Sequence, residues 1–348
     1  MSFSIGIVGL PNVGKSTLFT ALTKKQVDAA NYPFCTIDPN VGTVPVPDER
    51  LGKLAAVYNS AKVIPTVIEF VDIAGLVAGA HKGEGLGNKF LSHIREVDAI
   101  CQVVREFSDA NVIHVGGRVD PESDKQIINT ELIFADLATV EQRLHDVQPK
   151  ARSGDKEAVA QLATLQKVQQ LLDGGTVLSQ AGLTDDERMV LRDLHLLTLK
   201  PMLYVLNVAE NEVTKSSPGQ LVISAKLESE LVGMPEVEAR EYLNSVGMKE
   251  TGLDRLIRAA YDLLGLITFF TAGPTETRAW TIPRGATAPQ AGSAIHTDFE
   301  EKFIRAEVTP WQDIVECGGE VKAKELGKVR TEGKEYVVQD GDTIYFRI

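Results

Sequence analysis

The stretch Gly9–Ser16 narrows the range of folds open to this chain. It fits the pattern G-x-x-x-x-G-K-[ST], in which main-chain N–H groups of a loop bind phosphate oxygens. The apolar run Ile5–Val8 precedes it, and a segment with apolar residues at Leu18, Phe19 and Leu22 follows it. Both the pattern and the strand–loop–helix context that it requires are therefore present. We predict a phosphate-binding loop between the first strand and the first helix.

Each residue type in this loop has an expected task. Glycines allow the main chain to approach phosphate, and the start of the helix adds positive potential. Lys15 is expected to reach the β and γ phosphates and to act in catalysis, and the hydroxyl of Ser16 is expected to bind Mg²⁺. The predicted nucleotide-binding residues of the loop are Asn12, Val13, Gly14, Lys15, Ser16 and Thr17.

A magnesium site on a nucleotide also needs a carboxylate at the end of a neighbouring strand. Asp72 follows the apolar run Val67–Val71 and is predicted to bind Mg²⁺ through a water molecule. Gly75 completes the pattern D-x-x-G, where its N–H group can sense the γ phosphate. Thr36, in the loop before the second strand, is predicted to be a direct Mg²⁺ ligand. The glycine-rich stretch 79–87 is expected to respond to the nucleotide state.

Loops after the later strands are expected to recognise the base. Asn207, Val208 and Glu210 stand where guanine-specific switches carry N-K-x-D. The aspartate of that pattern accepts hydrogen bonds from two guanine N–H groups, so its replacement is expected to weaken the selection of guanine. Ser224 and Ala225 belong to the second base-facing loop. We predict a preference for adenine, with a GTP-specific switch as the alternative.

Several short apolar runs are typical of strands that are buried on both faces of a mainly parallel sheet. The spacing between them leaves room for crossover helices, so the sequence predicts a doubly wound α/β core. The runs are Ile5–Val8, Val67–Val71, Ile100–Val104, Met202–Leu206 and Leu221–Ile223.

The interval between Ile100–Val104 and Met202–Leu206 is too long for one crossover helix and must hold an insertion. Apolar residues recur there at steps of three and four on either side of the segment 153–155. The pattern predicts two antiparallel helices that form a coiled-coil hairpin. The apolar positions are Ile133, Leu137, Val140, Leu144 and Val147, then Ala158, Leu162, Leu165, Val168 and Leu172.

After about residue 267 the pattern changes to short β-like pieces, which predict a separate small α+β domain. The last two pieces flank Asp340-Gly341-Asp342, a sequence typical of a hairpin turn. The pieces are Thr268–Ala272, Ala279–Ile282, Phe303–Val308, Tyr336–Val338 and Thr343–Phe346.

Composition limits the class of protein. The net charge of −12 and the pI near 5.1 are atypical of a protein that coats nucleic acid, and the C-terminal lysines alternate with glutamates as on a solvated surface. No apolar run approaches the roughly 20 residues that cross a bilayer. The three scattered cysteines fit a reducing compartment better than a disulfide framework. We expect a cytoplasmic protein with no membrane partner and no sequence-specific DNA binding.

The motifs jointly resemble those of the Obg-like ATPase family, in its YchF branch. The matching segments are G-L-P-N-V-G-K-S-T, D-I-A-G-L-V, G-E-G-L-G-N-K-F-L, N-V-A-E, S-A-K and a C-terminal part that ends D-G-D-T-I-Y-F. The resemblance implies a G domain over 1–122 and 198–266, a coiled-coil insertion over 123–197, and a TGS domain of β-grasp form over 267–348. It also implies that ATP is preferred over GTP, and that the protein associates with the ribosome, at its large subunit, to regulate translation or the stress response.

The group that positions the attacking water is expected to differ from that of Ras-like switches. Leu76 follows D-x-x-G where those switches carry glutamine, and a leucine side chain forms no hydrogen bonds. The family resemblance points instead to His114 as the catalytic group, with His81 as the runner-up. In related switches an asparagine at the position of Asn12 holds K⁺, so K⁺ is a second candidate cofactor beside Mg²⁺.

The residues leave three functional hypotheses open. The first is a slow ATPase switch that controls binding to a large partner, the second is a metabolic kinase, and the third is a nucleotide-dependent adaptor in which hydrolysis hardly matters. The D-x-x-G pattern and the two base-facing loops favour the switch, and the sequence has no recognisable lid for a phosphoryl acceptor.

One interval departs from the family pattern. Only 16 residues separate Asn207 from Ser224, which is too few for a full crossover helix before the strand Leu221–Ile223. Either that crossover is shortened or part of the chain is missing from the sequence.

Overall fold

The structure is a computed structural model that describes residues 3–26, 38–73, 88–109 and 118–348. In these ranges the strands are β1 (Ser4–Val8), β2 (Val41–Pro45), β3 (Lys62–Ile64), β4 (Val67–Asp72), β5 (Ala99–Arg105), β6 (Met202–Asn207), β7 (Leu221–Ile223), β8 (Leu266–Ala272), β9 (Glu276–Pro283), β10 (Arg305–Pro310), β11 (Arg330–Glu332) and β12 (Asp342–Arg347). The helices are α1 (Lys15–Lys24), α2 (Glu49–Tyr58), α3 (Asn88–Glu96), α4 (Pro121–Arg152), α5 (Lys156–Asp173), α6 (Asp185–Leu191), α7 (Ala225–Leu231), α8 (Glu236–Ser245), α9 (Gly252–Leu263), α10 (Ala288–Ser293), α11 (Thr297–Glu301), α12 (Trp311–Cys317) and α13 (Glu320–Glu325). None of these helices combines the length and the hydropathy that a membrane span requires.

The internal contacts of the chain divide it into two compact units. The first unit comprises Met1–Phe3, Lys25–Glu69 and Asp254–Ile348, and the second comprises Ser4–Lys24 and Phe70–Leu253. A segment from the first 70 residues therefore shares a unit with the C-terminal residues.

Parallel strands form the core of the second unit. β1 pairs with β5, β5 with β6, and β6 with β7, all in parallel. The end of β4 lies beside β1, because the N–H of Ile73 donates to the carbonyl of Ile7 at 3.2 Å. Ile5 and Ile7 are fully buried. The predicted doubly wound core is confirmed, and the loops that follow its parallel strands meet at one edge of the sheet.

The short interval between β6 and β7 holds a 3-10 turn at Glu210–Glu212 instead of a crossover helix. β7 nevertheless forms at the predicted residues and pairs with β6, with Val205 opposite Leu221. The structure thus connects β6 to β7 without a crossover helix.

The predicted helical hairpin is also confirmed and consists of α4 and α5. Apolar residues of both helices form one buried cluster that includes Ile133, Val140, Leu165 and Val168. The carboxylate of Asp136 ties α4 to a later turn, since it accepts hydrogen bonds at 2.8 Å from the N–H groups of both residues 197 and 198.

The first unit contains a mixed sheet of order β11-β10-β12-β8-β9-β3. β8 and β9 are antiparallel, β12 joins β8 in parallel, and β10 pairs antiparallel with β12 and with β11. The predicted small α+β domain of β-grasp form is confirmed. β3, which comes from the first 70 residues, completes the sheet by pairing in parallel with β9.

The prediction of a hairpin turn at Asp340-Gly341-Asp342 is wrong. β12 pairs with β10, and residues 336–338 bond instead to residues 286–288, with the N–H of Val338 donating to the carbonyl of Ala286 at 3.0 Å. Asp340 accepts a hydrogen bond from the N–H of Thr268 at 3.0 Å. The Asp-Gly turn therefore binds to β8, and the backbone groups that a hairpin would need are already used.

Candidate nucleotide-binding site

The loop between β1 and α1 has an unusual backbone. Asn12 and Gly14 have positive φ angles of 64° and 92°, a region that favours glycine and tolerates asparagine. A Cβ atom on Gly14 would lie 2.2 Å from Nδ2 of Asn207. Glycine is therefore required at position 14 both for its φ angle and for the close approach of Asn207.

The start of α1 presents donors that suit an anion. The first N–H groups of a helix have no partner within the helix, and α1 begins at Lys15. Ser16 and Thr17 are exposed there, whereas Val13 is only 1 % exposed and anchors the loop in the core. This part of the loop can therefore offer amides to a phosphate, and two hydroxyl groups to the phosphate or to its metal ion.

Lys15 and Asp72 form an ion pair through Nζ and Oδ1, and each side chain is 15 % exposed. Lys15 begins α1 and Asp72 ends β4, so the structure brings together two residues that the sequence predicts for the same site. The hydroxyl of Ser16 and the carboxylate of Asp72 are oxygen donors of the kind that Mg²⁺ prefers. The donor set therefore fits Mg²⁺.

Asn207 links the phosphate loop to the second base-facing loop. Its Nδ2 donates to the carbonyl of Val13 at 2.8 Å, and its Oδ1 accepts from the N–H of Ala225 at 2.9 Å. The side chain is 4 % exposed. The predicted base-contacting residue therefore holds two loops of the site in place.

Three of the other predicted base-facing residues, Val208, Ser224 and Ala225, are buried. The side chain of Val208 is buried in a cluster with Leu206 and Val222. The hydroxyl of Ser224 caps α7 by accepting from the N–H of Leu227 at 3.4 Å, and Ala225 is 2 % exposed. Both loops are thus fixed to the core at the edge where β6 and β7 end.

Glu210 forms an ion pair that joins the two base-facing loops. Its Oε1 lies 2.7 Å from Nζ of Lys226. A hydrogen bond to Glu210, together with Coulombic attraction to it, raises the pKa of Lys226. Nearby, Lys215 and Glu106 form a pair at 2.5 Å, which raises the pKa of Lys215 in the same way.

Sequence reasoning missed one further residue that shapes this edge. Arg105, the last residue of β5, is 2 % exposed and lies opposite Asn207 in the sheet. Its Nε donates to the carbonyl of Phe107 at 3.1 Å, and its guanidinium lies 4.4 Å from the ring centre of Phe107. The sequence feature that could have identified Arg105 is a charged residue directly after an apolar run.

Some of the predicted site residues lie outside the described ranges. They are Thr36, Gly75, His81 and His114.

Family models match both ends of the chain. Residues 4–130 match the model described as a 50S ribosome-binding GTPase. Residues 266–348 match the model YchF-GTPase_C, which is described as a protein of unknown function.

Relatives align with the chain over its whole length. The ribosome-binding ATPase YchF of Bacillus subtilis is 52 % identical over 363 aligned positions, which cover 100 % of this chain and 99 % of the relative. The protein of the same name from Haemophilus influenzae is 50 % identical over 360 positions, with the same two coverages. The first alignment is longer than the 348 residues of this chain, so that relative carries residues that have no counterpart here.

A solved structure agrees with the sequence matches. The structure of the Schizosaccharomyces pombe YchF GTPase superposes with a TM-score of 0.89 at 39 % identity, covering 99 % of this chain and 98 % of that one. The phosphate loop, the parallel sheet and the C-terminal α+β domain lead to the same assignment. This chain belongs to the YchF family of P-loop nucleotide hydrolases.

Proposed function

We propose that this chain is a Mg²⁺-dependent hydrolase that prefers ATP and works as a molecular switch on the ribosome. The observation that carries the proposal is the phosphate loop with Lys15 and Asp72 side by side at its end. The Bacillus subtilis and Haemophilus influenzae relatives are named ribosome-binding ATPases, which supports ATP and the ribosome as partners. The 50S description of the matching family model supports the large subunit as the docking site. The proposed outcome is regulation of translation or of the stress response, in the cytoplasm.

The proposed function is assigned to three domains. Residues 1–122 and 198–266 form the G domain that binds nucleotide, residues 123–197 form the helical insertion, and residues 267–348 form the TGS domain. The relatives' names support a ribosomal partner without locating its contact on any of these parts.

In the proposed site, one group of residues binds the phosphates and another binds Mg²⁺. The amides of residues 12–17 and the ammonium of Lys15 would hold the phosphates, and Gly75 would contact the γ phosphate. Ser16 and Thr36 would bind Mg²⁺ directly and Asp72 through a water molecule. When bound, Mg²⁺ supplies positive charge that offsets the charge on the β and γ phosphate oxygens.

The proposed adenine preference rests on the loops that follow β6 and β7. Asn207, Val208, Glu210, Ser224 and Ala225 would enclose the base. Glu210 replaces the aspartate that guanine-specific switches use, and Val208 is buried where those switches carry a lysine over the base. A GTP-specific switch is the competing assignment for the same loops.

Water activation is proposed for His114 on the family resemblance, since the side chain of Leu76 has no hydrogen-bonding group. A neutral imidazole can accept a proton from the attacking water. Asn12, with its positive φ of 64°, would hold K⁺ beside the phosphates. Comparing turnover in K⁺ with turnover in Na⁺ tests this second cofactor.

Dissociation constants for ATP and GTP, measured with Mg²⁺ on purified protein, test the base assignment. Tighter binding of GTP would replace the ATP assignment with the GTP-specific switch. Turnover of the preferred nucleotide is then measured with and without ribosomes, and with EDTA. Turnover that needs a small phosphoryl acceptor would indicate a kinase, and binding without turnover would indicate an adaptor.

A further inference from the structure

The ion pair between Glu210 and Lys226 spans the two loops that are proposed to face the base. Glu210 begins the 3-10 turn after β6, and Lys226 is the second residue of α7. The side chains are 34 % and 74 % exposed, and their charged atoms are 2.7 Å apart. The Oε1 atom of Glu210 is itself buried. The lysine and part of the Glu210 side chain therefore remain accessible to solvent.

The two loops are held in a fixed relation. The N–H of Val208 donates to the carbonyl of Ile223 at 2.9 Å, and Asn207 accepts from the N–H of Ala225 at 2.9 Å. These bonds leave little freedom for the residues that follow them. Glu210 and Lys226 consequently meet at a defined position, as a pair does when its backbone is already ordered.

The chemistry of the pair differs from that of a carboxylate alone. Guanine presents two adjacent donors on its pairing edge, the ring N–H and the amino group, whereas adenine presents an amino donor beside a ring nitrogen that accepts. A free carboxylate has two acceptor oxygens, which match guanine. An ammonium group that occupies one of the two carboxylate oxygens leaves one acceptor free, which matches the single amino donor of adenine.

We infer that Lys226 is a specificity-determining residue, which makes the Glu210 carboxylate unfavourable for guanine and favourable for adenine. The inference rests on the proposed function, because it deepens the ATP preference proposed for the same site. Lys226 acts through Glu210 and needs no contact with the phosphates or with the reacting atoms.

The electrostatic surroundings keep Lys226 charged and close to Glu210. The hydrogen bond to Glu210 raises the pKa of Lys226, and the charges of Glu230 and Asp109 act in the same direction. The ammonium form therefore persists at neutral pH. Because Lys226 is exposed, solvent screens the pair and its effect on base preference is expected to be moderate.

The test compares ATP and GTP dissociation constants in Mg²⁺ for the parent protein and for Lys226→Met. We expect the ratio of the GTP constant to the ATP constant to fall about threefold to fivefold, because an exposed ion pair has an effect of this size. Lys226→Arg keeps the pair and should keep the ratio. Lys215→Met is the matched control, since it removes the same charge from a neighbouring ion pair with Glu106.

A double-mutant cycle shows whether Lys226 acts through Glu210. In a Glu210→Gln background there is no carboxylate to release, so Lys226→Met should no longer change the ratio. An unchanged ratio in Lys226→Met alone, or an equal change in both backgrounds, would overturn the inference.

The two proposals fail separately in this experiment. Equal affinity of the parent for ATP and GTP would contradict the ATP preference, whatever Lys226→Met does. A ratio that still moves toward GTP in Lys226→Met would support the role of Lys226 in that case also.

Discussion

Lys15 supplies the positive side chain of the proposed phosphate site, at the first residue of α1 and paired with Asp72. Lys15→Ala should weaken ATP binding by about 10- to 100-fold, because a hydrogen bond to a charged group contributes about 1.5–3 kcal/mol. Titration calorimetry in Mg²⁺ measures the change. Lys24→Ala, at the exposed end of the same helix, is the control and should bind like the parent. Equal affinity of Lys15→Ala and the parent would remove this loop from the nucleotide site.

His114 is the residue on which the proposed hydrolysis step depends. His114→Ala should leave ATP affinity nearly intact and lower turnover about 100-fold, as expected for the loss of a general base. Steady-state phosphate release and equilibrium ATP binding, measured on the same preparation, separate the two effects. His81→Ala serves as the comparison. A larger loss of turnover in His81→Ala than in His114→Ala would transfer the role to His81.

The residues that the sequence predicted within the phosphate loop lie together because they belong to one short segment. The carboxylate of Asp72 was predictable because it ends a buried strand. The bonds from Asn207 to Val13 and Ala225 were not predictable, since these partners are far apart in the sequence. The pairing of Lys226 with Glu210 depends on the same packing of distant loops.

At the level of elements, a buried carboxylate from α7 caps the start of α9. Glu228 on α7 is 1 % exposed and accepts from the N–H groups of Gly252 at 2.7 Å and Leu253 at 3.2 Å. Glu228→Gln should lower the free energy of unfolding by about 1–3 kcal/mol, because it replaces one acceptor by a donor that faces an N–H group. Urea denaturation followed by circular dichroism measures it.

Glu230→Gln is the matched control for this helix, because Glu230 is exposed on α7. It should change stability by less than about 0.5 kcal/mol. If both variants lost the same stability, the cap on α9 would not be the cause.

Strands and helices with a long or repeated apolar pattern were predictable from the sequence, and short elements were not. β1, β5 and β6 are largely apolar runs, and the two hairpin helices repeat their apolar residues over several turns. β3 has only three residues, two of them exposed, so no periodicity marks it as a strand. Residues 336–338 have a strand-like composition. Their backbone groups bond to residues 286–288, so they do not pair with β12 in the predicted hairpin.

At the scale of the whole molecule, the C-terminal sheet needs residues from the first 70. Leu51 and Leu54 of α2 are buried in one cluster with Phe270 and Ile314, and β3 pairs with β9. A fragment of residues 266–348 would leave the apolar surface of that cluster uncovered. We expect it to bind a hydrophobic dye and to unfold at a lower urea concentration than the same sheet in the full chain.

The full chain with Leu54→Ala is the companion variant. Leu54 is fully buried, so the substitution should destabilise the sheet by about 2–5 kcal/mol. A fragment as stable as the full chain would show that α2 and β3 add nothing to this domain.

The pairing of β3 with β9 also sets an order of events during synthesis. At about 5–20 residues per second, the ~200 residues between these two strands take roughly 10–40 s to be made. For that time α2 has an apolar face that its later partners cannot yet cover. If synthesis stops before β9, this apolar face stays exposed. We therefore expect truncated chains to be bound by chaperones and degraded by proteases.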